Sequence, residues 1–544
     1  MSVILEKVIR KHVLKNAFDY GKAQAGGVVG KVIAENPDAK NDMKVTMQLI
    51  GKVVAEVNKL SKLEIEKQMD SFTYVEKKEE EKRIVFPNAE VGKVIVRLPP
   101  EPNGYSHIGH AKAFFLSWTG AREYSGKVIL RWDDTNPEAE KQEFVDAIKE
   151  GITWLGIDWD EEVYCSDWMP RLYELNEMLI AQGDAYVCQC SQDAIGQGRE
   201  KKIRCKCVDY SQKEQLDKWK GMLEKKIKKG EAVVRLKGDM SSLNTVMRDP
   251  TLWRIIDSPH YRQGKKYCVW PTYDFQGSVM DSLLGVTHAL RSKEYELRDE
   301  LYFYLLDKLN LRKPTLITIS RLSLANTPIS KRLLRPLVES GKLWGWDDPR
   351  LPTLAGLRRR GVTPKAIKDF VLSFGISKVE SNPSWDRLLS SNKKELLDSP
   401  HYFFVPEPVQ LKIGKETIYI PAFDAGELKV GEVFRLKNSF NVKVKKKDAK
   451  TRVIDGENVG NALLGDTKKV QWVGADGIKC TLYVPGLLFD DKESFNENSL
   501  QEITGLCQKE CASLKVGEVV QFERVGFARL DKKTKTKLEF IQST

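Results

Sequence analysis

Two histidines, His107 and His110, flank Ile108 and Gly109 in the stretch VIVRLPPEPNGYSHIGHAKAFF, residues 94–115. Imidazole N–H groups at this spacing can donate together to one phosphate, and the glycine lets a ligand ring approach the backbone. The chemistry this suits is stabilisation of a pentavalent α-phosphorus. Capping or surface histidines are the plainer alternative, yet the chain has only 6 His and two of them share this stretch. A second group is Cys188-Gln189-Cys190 with Cys205-Lys206-Cys207, two C-x-C pairs separated by fourteen residues. Four thiolates in close pairs suit tetrahedral zinc, and four buried or free thiols are the alternative. The five other cysteines (165, 268, 480, 507 and 511) read as ordinary small residues.

The elements that must position these groups follow from the pattern around them. A β-branched run ends at Leu98, a Pro- and Gly-rich turn follows, and a helix opens near Ser106. His107 to His110 then lie at a helix N-terminus on the carboxyl edge of a sheet, where oriented N–H groups favour phosphate. Similar runs at 94–98, 128–131 and 315–319, separated by amphipathic segments, predict a parallel α/β sheet. Both C-x-C pairs and the lysine-rich KWKGMLEKKIKKG lie between Tyr186 and about Arg262, which reads as an insertion into that sheet domain. Residues 1 to about 65 read as helical, with Met43, Met47, Ile50, Val54 and Val57 as one apolar stripe. The charge block from Glu76 to Arg83 reads as a solvated linker. Residues 340–395 return to helix, and from about 401 the chain is β-rich. There Leu428-Lys429-Val430-Gly431-Glu432-Val433 recurs as Leu514-Lys515-Val516-Gly517-Glu518-Val519. Two related small barrels or a shared hairpin preference would each produce this repeat.

Size and charge set outer bounds. The 544 residues are too many for one core, and three to five domains are expected. The 88 basic against 76 acidic residues leave a net charge of +12. That excess fits a polyanionic partner or simply a soluble basic surface. No apolar run approaches the roughly 20 residues that span a bilayer. MSVILEKVIRKHVLK carries no signal-peptide core, and nine Cys with C-x-C spacing point away from a disulfide framework, so a cytoplasmic location is expected.

Beyond the residues themselves, S-H-I-G-H after P-P-E-P-N-G resembles the first signature of class I aminoacyl-tRNA synthetases, in its glutamyl and glutaminyl form. Further strings extend the resemblance: LRWDDTNPEAEKQEF (130–144), MRDPTLWRI (247–255), PTYDF (271–275), LLGVTHALRSKE (283–294) and WGWDDPRLPTLAGLRRRG (344–361). Helices first, this core next and β-barrels last is similar to the archaeal and eukaryotic branch. The implied architecture is multidomain α/β: a helical domain and linker at 1–86, then a Rossmann-type catalytic domain at 87–339 carrying an acceptor-end-binding, zinc-holding insertion at about 186–262. A helical stem-contact segment at 340–400 and paired anticodon-binding barrels at 401–544 complete it.

The resemblance also implies roles. Pro328-Ile329-Ser330-Lys331-Arg332 is similar to the second signature, so that Ser330, Lys331 and Arg332 join His107, Ile108, Gly109 and His110 in binding ATP and following the departing pyrophosphate. Magnesium is expected with ATP. Arg97, Glu101, Asp133, Tyr273 and Arg291 are expected to bind the amino acid: Asp133 the α-amino group, Tyr273, Arg97 and Arg291 the side chain. Gln276 and Gly277 fall in the same segment without an assigned role. Cys188, Cys190, Cys205 and Cys207 are expected to hold a structural zinc. Basic segments at 358–360 and 443–450 fit tRNA. The implied reaction is glutamate activation with ATP, then transfer to the 3′-terminal ribose of tRNA(Glu), with tRNA(Gln) also open as acceptor, by a chain expected to be a monomer. A glutaminyl-tRNA synthetase shares most of these strings, but commonly has Cys or another small residue at Arg291. An inactive tRNA-binding paralogue would need a damaged signature, and His107, His110 and Lys331 are all present.

Overall fold

Short β-branched runs pair in parallel here because helices cover the connections between them. The computed structural model describes residues 2–74, 83–328, 330–448, 452–463, 465, 467–490 and 492–544. Of the charged block read as a linker, residues 76–82 lie outside the described residues, as do Ile329, Ala449 and Lys450 of the basic and signature segments. The chain divides into two compact units, Glu76–Leu322 with Val371–Ser381, and Met1–Val75 with Ser323–Phe370 and Asn382–Thr544.

In the first of these units the strands Ile95–Leu98, Lys127–Trp132 and Glu161–Tyr164 form a parallel sheet in that order. The strands His288–Ser292 and Thr315–Ile319 make a second parallel pair. Thr287 N donates to Ile95 O at 2.8 Å, and Ile95 N donates to Thr287 Oγ1 at 2.8 Å. These bonds seat His288–Ser292 beside Ile95–Leu98. The strand before one helical crossover and the strand after the long insertion thus become neighbours, and the strand order reverses between them. In open α/β sheets such a reversal leaves a crevice at the carboxyl ends of the strands, where ligands bind.

The insertion contributes the antiparallel strands Ala185–Cys188, Val233–Leu236 and Thr251–Ile255, and Val269–Pro271, beyond its expected end near Arg262, adds a fourth to the same sheet in chain order. The insertion has no separate core. Trp219, Trp253 and Trp270 pack with Leu172, Leu179 and Phe275 of the flanking helices in one buried cluster.

The second unit begins with four helices, Ser2–Tyr20, Ala25–Glu35, Met43–Val57 and Lys62–Met69. Asp42 caps the third by accepting from Val45 N at 3.1 Å, and Ser61 with Glu64 forms a capping box on the fourth. The apolar stripe of the third helix keeps Ile50 and Val57 from the expected one, with Val54 partly buried against the same core, but Thr46 and Val53 join it and Met43 and Met47 do not. Thr46, Ile50, Val53 and Val57 are buried, whereas Met43 and Met47 are 38% and 39% exposed. Thr46 is accepted inside because its hydroxyl donates to Ala39 O at 2.8 Å. Without that bond a threonine would not outrank methionine for a core position.

Two seven-stranded half-barrel sheets close the same unit. The repeated hexapeptide opens equivalent strands in each, Val433–Leu436 and Val519–Phe522. Equivalence extends well past the string. Gly431 N donates to Val444 O and Gly517 N to Leu530 O, both at 2.8 Å. Lys429 N donates to Glu432 Oε2 as Lys515 N does to Glu518 Oε2, and Lys447 Nζ reaches Leu428 O as Lys533 Nζ reaches Leu514 O. Each sheet carries a register shift at the matching place, Val444/Lys446 and Leu530/Lys532. The repeat therefore marks two copies of one sheet. They are interleaved along the chain: strands His401–Tyr402 and Phe404–Pro406 join the later sheet, and the earlier sheet is built from residues 408–474.

Of the basic run 358–360, only Arg358 is exposed. Arg359 pairs with Asp531 at 2.8 Å and Asp347 at 3.0 Å. Arg360 is buried, with its guanidinium 4.8 Å from the Trp385 ring centroid. Two of the three arginines expected to fit tRNA thus hold this unit together.

Candidate active site

The helix Ile108–Glu123 starts where the strand Ile95–Leu98 and its Pro-rich turn release the chain, at the crevice of the reversed sheet. His107 is its N-cap, and His107 Nδ1 accepts from Gly109 N at 3.1 Å. His110 Nδ1 accepts from His107 N at 3.1 Å. Both Nδ1 atoms are acceptors, so each neutral ring carries its proton on Nε2. The rings lie 3.9 Å apart between centroids, giving two N–H donors side by side at a helix N-terminus with no acidic residue in its first turn. A Cβ on Gly109 would sit 2.9 Å from the His107 ring and 3.0 Å from Leu322 O, so only glycine fits between them.

Four buried charges occupy the crevice beyond. Arg97 Nε donates to Asp281 Oδ1 and its Nη1 to Leu290 O, both at 2.8 Å. Arg131 Nη1 donates to the same Asp281 oxygen, and Arg131 grips Asp133 with Nε at 2.7 Å and Nη2 at 3.1 Å. Tyr302 OH closes the network on Asp281 Oδ2 at 2.8 Å. Burial alone would raise the Asp281 carboxyl, but Arg97 and Arg131 hold it below the usual carboxylate value. Two cations and two anions cancel, which is what permits all four to be buried. Arg97, expected to face the substrate, already has an internal carboxylate partner.

Arg291 lies near the end of the strand His288–Ser292, 6% exposed. Its Nη1 donates to Asp299 Oδ1 at 2.7 Å, and the rings of Tyr273, Tyr295 and Tyr302 stand 5.8, 5.5 and 5.0 Å from its guanidinium carbon. Arg291 Nε is buried with no hydrogen-bond partner. A buried donor of this kind costs roughly 1–3 kcal/mol until something accepts from it. Tyr273 opens the helix Tyr273–Leu283, with its ring 4.7 Å from that of Tyr295. Glu101 is exposed on the turn before the histidines. That turn is tied to the segment after Asp133 by Asp133 N to Pro100 O and Lys141 N to Pro102 O.

Several residues of this site carried no signal in the linear pattern. Gln276 Nε2 donates to Asp133 Oδ1 at 2.9 Å and lies 2.9 Å from Cys165 Sγ, which gives a role to one position left without any. Asp281, Arg131 and Tyr302 are recognisable only once the strands are aligned. A charged residue inside a β-branched run, Arg131 in Val128–Trp132, was the one available hint. Next to them Asp134, Glu140 and His260 form a buried acid cluster. His260 Nδ1 accepts from Arg262 N and Gln263 N, so its Nε2 carries the proton toward Asp134 O at 3.1 Å and Glu140 Oε2 at 3.5 Å. Burial raises Asp134 to about 7 and Glu140 to about 9.

Ser330, Lys331 and Arg332 belong to the other unit, where Ser330 is the N-cap and Lys331 the first residue of the helix Lys331–Glu339. The four cysteines of the insertion converge. Their sulfurs all lie within 4.8 Å of one another, with Cys188 and Cys205 3.6 Å apart and Cys190 and Cys207 3.8 Å apart. A tetrahedral zinc with Zn–S of about 2.3 Å has edges of about 3.8 Å, so the donor set fits that ion.

Residues 93–398 match the model of "tRNA synthetases class I (E and Q), catalytic domain", and residues 469–531 match that of the anti-codon binding domain of the same synthetases. The chain belongs to this family. It is 41% identical to the glutamate–tRNA ligase of Nitrosopumilus maritimus over 96% of this chain and 97% of that one. The glutamate–tRNA ligase of Cenarchaeum symbiosum is 37% identical, with 96% of each chain covered. That of Korarchaeum cryptofilum is 36% identical over 97% of this chain and 98% of its own. The paired histidines and the buried charges of the crevice lie within the first matched segment, and the second takes in most of the later half-barrel but only the last two strands of the earlier one. No described helix is long and apolar enough to cross a membrane.

Proposed function

We propose that the chain is a glutamate–tRNA ligase that joins L-glutamate to tRNA(Glu), with ATP as the energy source. The observation that carries the choice of amino acid is the unpartnered Arg291 Nε, a buried cationic donor in a pocket of three tyrosines. A γ-carboxylate would accept from it in a charge-assisted bond beside the one Arg291 already gives Asp299, whereas the neutral amide oxygen of glutamine would accept from it more weakly. Its relatives' names agree with this reading.

Asp133, oriented by Arg131 and Gln276, is assigned the substrate α-amino group. Tyr273 and Glu101 complete the amino-acid side, and Arg97 helps position Arg131, and through it Asp133, by sharing the Asp281 carboxylate. In the first step an α-carboxylate oxygen of glutamate attacks the α-phosphorus of ATP. The bond to the β-phosphate bridging oxygen breaks and pyrophosphate leaves. His107 and His110 donate through Nε2 to the oxygens on which charge builds, from a helix N-terminus that adds to their effect. Ser330, Lys331 and Arg332 are assigned the departing pyrophosphate, with magnesium entering on ATP. In the second step the 2′-hydroxyl of the terminal ribose attacks the activated carbonyl, its proton passes to the departing phosphate oxygen, and AMP leaves with the bonding electron pair. Cys188, Cys190, Cys205 and Cys207 would hold zinc, which supplies structural cross-linking and no chemistry. A cytosolic enzyme is consistent with four such thiols.

The test is ATP–pyrophosphate exchange dependent on glutamate, run with and without tRNA(Glu). Exchange that appears with glutamate, not with glutamine, and only when tRNA is added supports the reading, because docking of the tRNA end then completes the pocket. Exchange driven by glutamine alone would refute it.

A further inference from the structure

The strand Val233–Leu236 places Arg235 opposite Tyr186 of Ala185–Cys188, two residues along the strand from the first cysteine. Arg235 is 2% exposed. Its Nε donates to the main-chain oxygen of Asp249 at 2.9 Å, and its guanidinium lies over the Tyr186 ring at 5.6 Å. The Asp249 carboxylate is turned elsewhere: it accepts from Arg204 Nε at 2.8 Å and Nη2 at 2.9 Å, from Tyr186 OH and from Gly238 N. Among the described residues no carboxylate forms an ion pair with Arg235. One nitrogen, Nη1, instead lies 3.6 Å from Cys205 Sγ and 3.8 Å from Cys188 Sγ. A buried guanidinium demands an anion, and two neutral thiols do not supply one.

We propose that Arg235 is the built-in counter-cation of the cysteine centre, donating to the thiolates of Cys188 and Cys205 when the centre holds its metal. This rests on the zinc reading above. Four thiolates around a divalent cation leave two negative charges, and a buried site must compensate them. Arg235 halves that excess, and it does so on one side only. Cys188 and Cys205, the first members of the two pairs, share the guanidinium. Among the described residues Arg235 makes no such contact to Cys190 or Cys207, the second members. Arg235 is thus a positioning residue for the metal, with no part in the adenylation chemistry.

The experiment measures zinc affinity of the full-length protein by competition with a chromogenic chelator, for wild type, R235Q and R235K. It is joined by the sulfur-to-cobalt charge-transfer spectrum of each protein loaded with Co²⁺. R235Q should bind zinc about tenfold to a hundredfold more weakly. Its charge-transfer band should move to lower energy, because sulfurs that lose a cationic donor give up electrons more readily. R235K should fall between the two, since an ammonium keeps the charge but not the fork that also holds Asp249 O. If R235Q does not fold, R235K decides alone, and wild-type affinity with an unshifted band overturns the proposal. Wild type that binds neither metal sinks the zinc reading and the proposal together. Wild type that binds both, with both variants indistinguishable from it, leaves zinc in place and makes Arg235 a packing residue.

Discussion

Replacing Arg291 with Cys removes the donor that waits for a carboxylate, together with its charge. Loss of a charge-assisted hydrogen bond costs roughly 1.5–3 kcal/mol. The kcat/KM for glutamate should therefore drop at least tenfold, while that for glutamine rises or drops far less. The ratio of the two is the informative quantity, because a folding defect lowers both together; an unchanged ratio would make Arg291 purely a partner of Asp299. Glu140 permits a second test at this scale. Its side chain is buried, Oε2 has no hydrogen-bond partner, and burial raises it from 4.5 to about 9. The unfolded chain releases this proton near the ordinary value and the folded chain keeps it. Between those limits the folded state therefore binds more protons, and stability falls as pH rises. Asp134, raised to about 7, and His260, lowered by burial, titrate below Glu140, so Glu140 governs the upper end of this cluster's range. Glu140→Gln keeps the shape and cannot ionise. From about pH 7.5 to 8.5 wild type should lose about 1.4 kcal/mol per pH unit relative to the variant. Parallel unfolding curves across that range would show Glu140 already ionised.

The parallel strands, the helix at His107 and the β-rich end are legible in the sequence because each rests on a local pattern: β-branched runs, a Pro-Gly turn, short turn spacing. What stays hidden are pairings between distant segments. Arg97 meets Asp281 and Arg131 meets the same carboxylate only after the sheet brings three segments together. The Met43–Val57 stripe shows the opposite failure, a local pattern that holds at Ile50 and Val57 but errs at Met43 and Met47, where Thr46 is buried instead through its hydroxyl bond to Ala39. Interleaving of the half-barrels is likewise invisible, since nothing local tells residues 401–406 which copy to join. The copies themselves make a prediction. Gly431 and Gly517 hold φ of +89° and +100° with no atom closer than 3.5 Å to a Cβ built there. Alanine at either site meets strain without a clash, and each should cost about 1–2 kcal/mol. Unfolding of G431A and G517A should give equal losses; a clear inequality would mean that the two loops are copies in sequence but not in energetics.

Over the whole molecule, a net charge of +12 and an anti-codon binding domain in residues 469–531 fit a chain that must hold a polyanion while it works on a small acid. The chain has two compact units. One carries the paired histidines, the charge network and the cysteine centre, and the other carries Lys331 and the half-barrels. The chain is to join glutamate, and not glutamine, to tRNA. Aminoacylation of separate tRNA(Glu) and tRNA(Gln) transcripts with labelled glutamate and labelled glutamine measures this choice without an intermediary. Glutamate should appear on tRNA(Glu), with or without glutamate on tRNA(Gln), and glutamine on neither. Glutamine transferred to tRNA(Gln) in preference, or no amino acid transferred to any transcript by folded protein with ATP and magnesium, would contradict the assignment.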